Sequence, residues 1–156
     1  MSKSLALRNG DLQIGLGRSY DIVSGKKKLL QDLRLWVTER IGTDPLLSTY
    51  GSALDGGVID GQAQESYIGQ VATTAALTEI RIAVLNLVQQ YQQMQFQKMQ
   101  DEALLYNGQN TLEADEVIDS IDSVQTVQVG TTILVQVMIS TLDESSIKIT
   151  IPLSEG

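Results

Sequence analysis

Residues 25–56 read GKKKLLQDLRLWVTERIGTDPLLSTYGSALDG, and the fold follows from how that stretch divides. Leu29, Leu33, Val37 and Ile41 recur at i, i+4, i+8 and i+12, with Leu30 and Trp36 widening the stripe. This spacing predicts an amphipathic helix with one apolar face over about four turns. Ser24 is placed to accept an orphan N–H of the first turn as N-cap. Gly42 suits the left-handed position past the last turn, and Pro45 bars the helix from resuming. The glycine-rich run that follows is expected to pack as irregular structure through Leu46, Leu47, Tyr50 and Leu54.

Lys26, Lys27 and Lys28 stand in the first turn of this helix, where the macrodipole favours an acidic residue by roughly 0.3–1 kcal/mol per contact. Two readings stay open: a solvated charge cluster, or a contact with an acidic partner surface.

Outward from this stretch, composition narrows the chemistry. The 156 residues contain no cysteine and no histidine. That removes disulfides, thiol nucleophiles, thiolate ligands, and the commonest general base and metal ligand. At 42 % hydrophobic and 19 % charged, the balance is that of a globular protein, and the length that of one domain, residues 1–156. One Trp, one Phe and five Tyr leave the core to aliphatic residues. No apolar run resembles a signal peptide or a membrane span. The net charge of −8 divides into +4 over residues 1–40 and −12 over residues 41–156. An acidic majority argues against nucleic-acid binding, whereas a polarised chain suits oriented association with neighbours.

Before the helix, LQIGLG and SYDIV alternate around glycines between Asp11 and Val23 and predict a small hairpin. From Tyr67 to about Tyr106 the period is again helical, with Ile80, Val84, Leu87, Val88, Tyr91 and Met94 on one stripe. Forty continuous residues would extend about 60 Å, against about 40 Å for a compact domain of this length. The helix is therefore expected to break near residues 70–74, where a threonine cap is available, or to project. Seven glutamines fall between residues 89 and 100 around Phe96 and Met99. They form either a solvated face or a face against a packed neighbour, since amides are cheaper to desolvate than charges. Asn107 and Gly108 end the element. The last third changes to period two: Ser123–Val129, ILVQVMIS with Ile133, Val135, Val137 and Ile139, and IKITIPL with Ile147, Ile149 and Ile151. The expectation is a three-stranded antiparallel meander, the whole being α+β. Pro152 belongs on an edge strand, which leaves Ile147, Lys148, Ile149, Thr150 and Ile151 as an open edge, blunted by Lys148 and Pro152 or available to another chain.

Catalytic constellations are not found. Asp55 and Asp60 lack the ligand spacing of a calcium loop, and no P-loop, zinc spacing, Gly-x-Ser-x-Gly or SxxK occurs. Glu113, Asp115, Glu116, Asp119 and Asp122 form the one acid cluster, read as a solvated linker without the aromatic platforms of a sugar site. The expectation is a non-enzymatic protein with no cofactor and no metal.

The opening LQIGLGRSYDIVSGKKKLLQDLRLWVTERIGTDPLLSTYGSALDG resembles that of the small baseplate wedge family of contractile phage tails, the lysozyme-like wedge proteins or sheath initiators, which also occurs in contractile injection systems. The matching positions are Gly25, Leu29, Leu33, Gly42, Thr43, Tyr50, Gly51 and Leu54, followed by the long helix and meander in the family's order. Where that family carries Glu-Pro-Arg, this chain has Glu113-Ala114-Asp115. The resemblance implies a structural subunit of the virion's tail baseplate, assembled in the host cytoplasm. It would bind wedge scaffold proteins, template the first ring of the tail sheath protein, and neighbour tube or hub proteins, with no nucleic acid or membrane. Lys26, Lys27 and Lys28, the helix residues Gln93, Phe96 and Gln97, and the edge residues 147–151 are the expected partner contacts. Two alternatives are a cell-wall glycan hydrolase, tested at Glu39, and a non-viral adaptor of similar fold.

Overall fold

The computed structural model describes residues 3–8, 11–15, 21–64, 66, 73–105, 107–108 and 110–153. It is α+β, with two helices among the described residues and a C-terminal three-stranded antiparallel sheet. Strands β8 (Ile118–Val129), β9 (Thr132–Thr141) and β10 (Ser146–Leu153) are ordered β10-β9-β8. The alternation expected of β9 and β10 is what the register uses: Ile133↔Leu153, Val135↔Ile151, Val137↔Ile149 and Ile139↔Ile147 face one another, and all eight are buried. Cross-strand aliphatic pairs of this kind contribute roughly 0.2–1 kcal/mol each beyond Ala–Ala.

β8 begins five residues earlier than its alternation predicts, because its inward residues do not follow period two. Ile118, Ile121 and Val124 point at the core three residues apart, and the pairing with β9 shifts register at 118/120 and again at 121/123. Each shift inserts a residue and re-aims the next side chain inward.

Helix α1 (Gly25–Thr38) lays Leu29, Leu33 and Val37 on this sheet. Ser24 occupies the N-cap position, yet its side chain makes no capping bond. The helix stops at Thr38, one turn short of the apolar stripe, with Glu39 as C-cap. Ile41 belongs instead to strand β5 (Arg40–Ile41), drawn into parallel pairing with β6 (Ser52–Ile59), which in turn pairs with β7 (Gln62–Ala63). Tertiary pairing overrides the helical arithmetic there, while Gly42 still takes a positive φ of 79°. Leu46 and Leu47 do not pack inward. Asp44 Oδ1 accepts both their amide hydrogens, turning the chain so that Leu46 is 92 % exposed; Leu54 alone of the expected aliphatics is buried.

Helix α2 (Thr74–Leu105) is continuous over 32 residues, about 48 Å, and so outreaches a compact body of about 40 Å. The Ala76 amide donates to Thr73 Oγ1, the expected threonine cap; residues 67–72, where the sequence predicts earlier helix, lie outside the described residues. Ile80, Val84 and Val88 meet the core, and the far end carries Leu104 and Leu105 exposed.

The N-terminal strands pair differently from the predicted hairpin. β1 (Lys3–Leu5) pairs with β4 (Ile22–Ser24), and β2 (Leu7–Arg8) with β3 (Asp11–Leu12). The two predicted segments still touch, the Asp21 amide donating to the Gln13 carbonyl; the connecting residues 16–20 lie outside the described residues. This ribbon is fixed to α1 by Gln31, whose Oε1 accepts from the Leu7 amide while its Nε2 donates to the Leu5 carbonyl.

Candidate interaction surface

β10 is an edge strand, and its outward groups are identified by two observations. Pro152 has no N–H, so its tolerated place in an antiparallel ladder is a position facing away from β9. By the two-residue alternation Lys148 and Thr150 face outward with it. Independently, Arg34 on α1 donates through Nη2 to the Thr150 carbonyl at 3.3 Å. The side chains of Ile147, Ile149 and Ile151 are spent on the core. What this edge offers a neighbour is therefore backbone at Lys148 and Thr150, together with their side chains.

Alongside the edge runs a groove of about 520 Å³ between β10, α1 and the N-terminal ribbon. Leu7, Val23, Leu30, Leu35 and Pro152 supply apolar walls, and Lys27 and Arg34 supply charge. Among the described residues neither cation has a carboxylate within salt-bridge distance.

The lysine triplet divides. Lys26 Nζ donates to Ser145 Oγ at 2.7 Å and lies 3.7 Å from Asp143. The Thr141 hydroxyl first, then Ser145 and Lys26, hold the Asp143 carboxyl below its ordinary range. Lys28 bonds Asp32 at 2.6 Å, and Asp32 also accepts from the Tyr91 hydroxyl at 3.3 Å. Burial first, then Asp32, pushes that phenol's pKa up. Lys27 alone is exposed and unpaired among the described residues. The first turn is not left without acid, either: Asp115, from the loop before β8, lies against Gly25, so close that a Cβ there would sit 2.5 Å from its Oδ2. Asp115 and Asp143 thus bring to the helix start, from a distance in sequence, the charge that its own first turn lacks.

Gln93, Phe96 and Gln97 are exposed on α2, on a different element from the groove, with Gln97 donating to Asp101. Their inward neighbours hold the sheet. Gln95 is buried; its Nε2 donates to the Glu116 carbonyl at 2.7 Å and its Oε1 accepts from the Ile118 amide at 2.9 Å. Gln92 donates to the Asp119 carbonyl at 2.7 Å. The neighbour that packs against part of the glutamine run is the chain's own β8.

The acid cluster is not wholly solvated. Glu116 is 1 % exposed; its Oε1 accepts from the Glu113 amide, and its Oε2 finds no partner among the described residues. Burial pushes this carboxyl's pKa up against the opposing pull of Glu113 N–H and Lys28. A raised carboxyl pKa means the folded chain holds the proton more tightly than the unfolded one. The resulting stability is full below the unfolded value of 4.5 and is lost as pH rises through the folded value. Urea unfolding at pH 4 to 8 should show Glu116→Gln gaining on the native chain as pH rises; a pH-independent gap would contradict a raised Glu116 pKa.

Among the described residues no three His, Cys, Asp or Glu side chains are grouped to hold a metal ion. Glu39 is exposed at the end of α1, with its amide bonded to Leu35 O and its carbonyl accepting from Ser52. A second hollow, about 600 Å³ between β6, β7 and α2, is lined by Asn86, Gln90, Gln64 and small or apolar residues, none of them titratable. The sequence singles out Lys26, Lys27 and Lys28 together and the edge, but not Arg34, which stands seven residues after Lys27 in the helix. A scan against protein-family models matches none, and a search of curated proteins finds no match.

Proposed function

We propose that this chain is a structural subunit of a contractile tail or injection-system baseplate, binding wedge scaffold proteins and templating the first sheath ring. The observation that carries the reading is the outward edge of β10, with Lys148 and Thr150 beside the groove. An antiparallel edge of this kind completes itself by accepting a further strand, main-chain bonds giving affinity and the flanking groove giving selectivity. The order of elements, which resembles the wedge family from residue 12 to the meander, supplies the class of partner, the tail sheath protein. The exposed α2 surface at Gln93, Phe96 and Gln97 serves a scaffold neighbour.

The test must spare the core, since Ile147, Ile149, Ile151 and Leu153 anchor β10 in it. Thr150→Pro removes one outward N–H at a position equivalent to Pro152 and leaves the β9 ladder intact. In the native particle, baseplates carrying Thr150→Pro should assemble but fail to nucleate sheath, counted by electron microscopy. Normal sheath growth on these baseplates would refute the reading.

A further inference from the structure

We infer that the groove beside β10 admits an extended acidic segment of another protein, and that Arg34 makes the selection. The inference rests on the strand-addition reading above and adds to it the chemistry of the incoming strand.

In the free chain the Thr150 carbonyl, which an added strand would use as an acceptor, is already occupied by Arg34. The bond is exposed and long at 3.3 Å, so it is displaced at small cost, yet a neutral strand offers the guanidinium no negative charge in return. A carboxylate does. It draws Arg34 into a charge-assisted, bidentate pair and frees the Thr150 carbonyl for the strand's own N–H. Lys27 stands seven residues before Arg34 on the same helix, about 10 Å away along the axis. That is about three residues of extended chain, within reach of two long, flexible cations for acids at alternate positions of a strand. Two cations without carboxylate partners among the described residues, in a protein of net charge −8, identify the complement as acidic. Arg34 therefore blunts the edge against neutral strands and opens it to acidic ones, attraction and rejection residing in one side chain.

Two capped peptides test this: Ser-Val-Glu-Val-Glu-Val-Glu-Val-Ser and its counterpart with glutamine for every glutamate. Affinity is measured by titration, and the site by amide exchange at Lys148 and Thr150, with β8 amides reporting the fold. The native chain should prefer the glutamate peptide about tenfold at low salt, the scale of two exposed ion pairs, and lose that preference at 1 M salt. Arg34→Gln should weaken the glutamate peptide and strengthen the glutamine peptide about threefold, because the Thr150 carbonyl is released. Adding Lys27→Gln should abolish the remaining preference. Equal binding of both peptides to the native chain, or an unchanged preference in Arg34→Gln, overturns acid selection while leaving strand addition standing. Exchange unaffected by either peptide overturns both. Protection that rises with protein concentration and no peptide assigns the edge to a second copy of this chain and overturns the inference.

Discussion

Gly51→Ala should destabilise the protein by about 3–5 kcal/mol, combining strain at a disfavoured backbone conformation with overpacking. Gly51 holds φ at +100°, and a Cβ built there lies 2.5 Å from the Glu39 carbonyl oxygen. That carbonyl cannot retreat, because it accepts the Ser52 amide, and it belongs to the C-cap of α1. The methyl group would therefore push β6 away from the end of α1 and loosen the parallel β5–β6 pairing. Against a total stability of about 5–15 kcal/mol, the loss is a large fraction. Gly61→Ala is the comparison: φ is +78° with nothing within 4 Å, so only backbone strain of about 1–2 kcal/mol remains. Urea midpoints for the two variants check the claim, and a Gly51 variant no weaker than the Gly61 variant would remove the close approach from the account.

Gln95→Leu is the second large effect, at about 3–4 kcal/mol. The substitution keeps the volume but strands the Glu116 carbonyl and the Ile118 amide, whose bonds to Gln95 are both buried. Leaving a buried donor or acceptor unpaired costs about 1–3 kcal/mol each. Because these two groups lie at and just before the start of β8, the loss should surface first as faster amide exchange at Ile118, where the strand's pairing with β9 begins. Gln92→Leu, whose strongest bond goes to the exposed Asp119, should cost under about 1 kcal/mol. If the two variants unfold alike, the clamp at Gln95 is not holding the strand.

These cases show what the sequence exposed and what it concealed. Period carried the aliphatic skeleton: Leu29, Leu33 and Val37 on α1, Ile80, Val84 and Val88 on α2, and the alternating Ile and Val of β9 and β10 are where spacing put them. Three features stayed hidden because their causes are distant in sequence. Ile41 continues the helical spacing, but β6, eleven residues on, claims it for a strand. Ile118, Ile121 and Val124 match neither two-residue nor helical spacing, since two bulges set their faces. Gln95 looks like any other member of a polar run, and only the position of β8 distinguishes it from exposed Gln93. Pro152 marked the edge strand, whereas the sequence did not separate Lys27 from Lys26 and Lys28, whose partners lie within the chain. Arg34 was passed over, because its meaning depends on a carbonyl 116 residues away.

The chain's one tryptophan sits where helices α1 and α2 meet. Trp36 lies edge-on to Tyr50, with ring centroids 4.9 Å apart, and 6.3 Å from Tyr91, and its indole N–H donates to the Leu87 carbonyl of α2. Intrinsic emission excited at long wavelength therefore comes from a single, nearly dry chromophore tied to both helices. A red shift would report their separation without any label, in the isolated protein or in an assembly whose other members lack this residue.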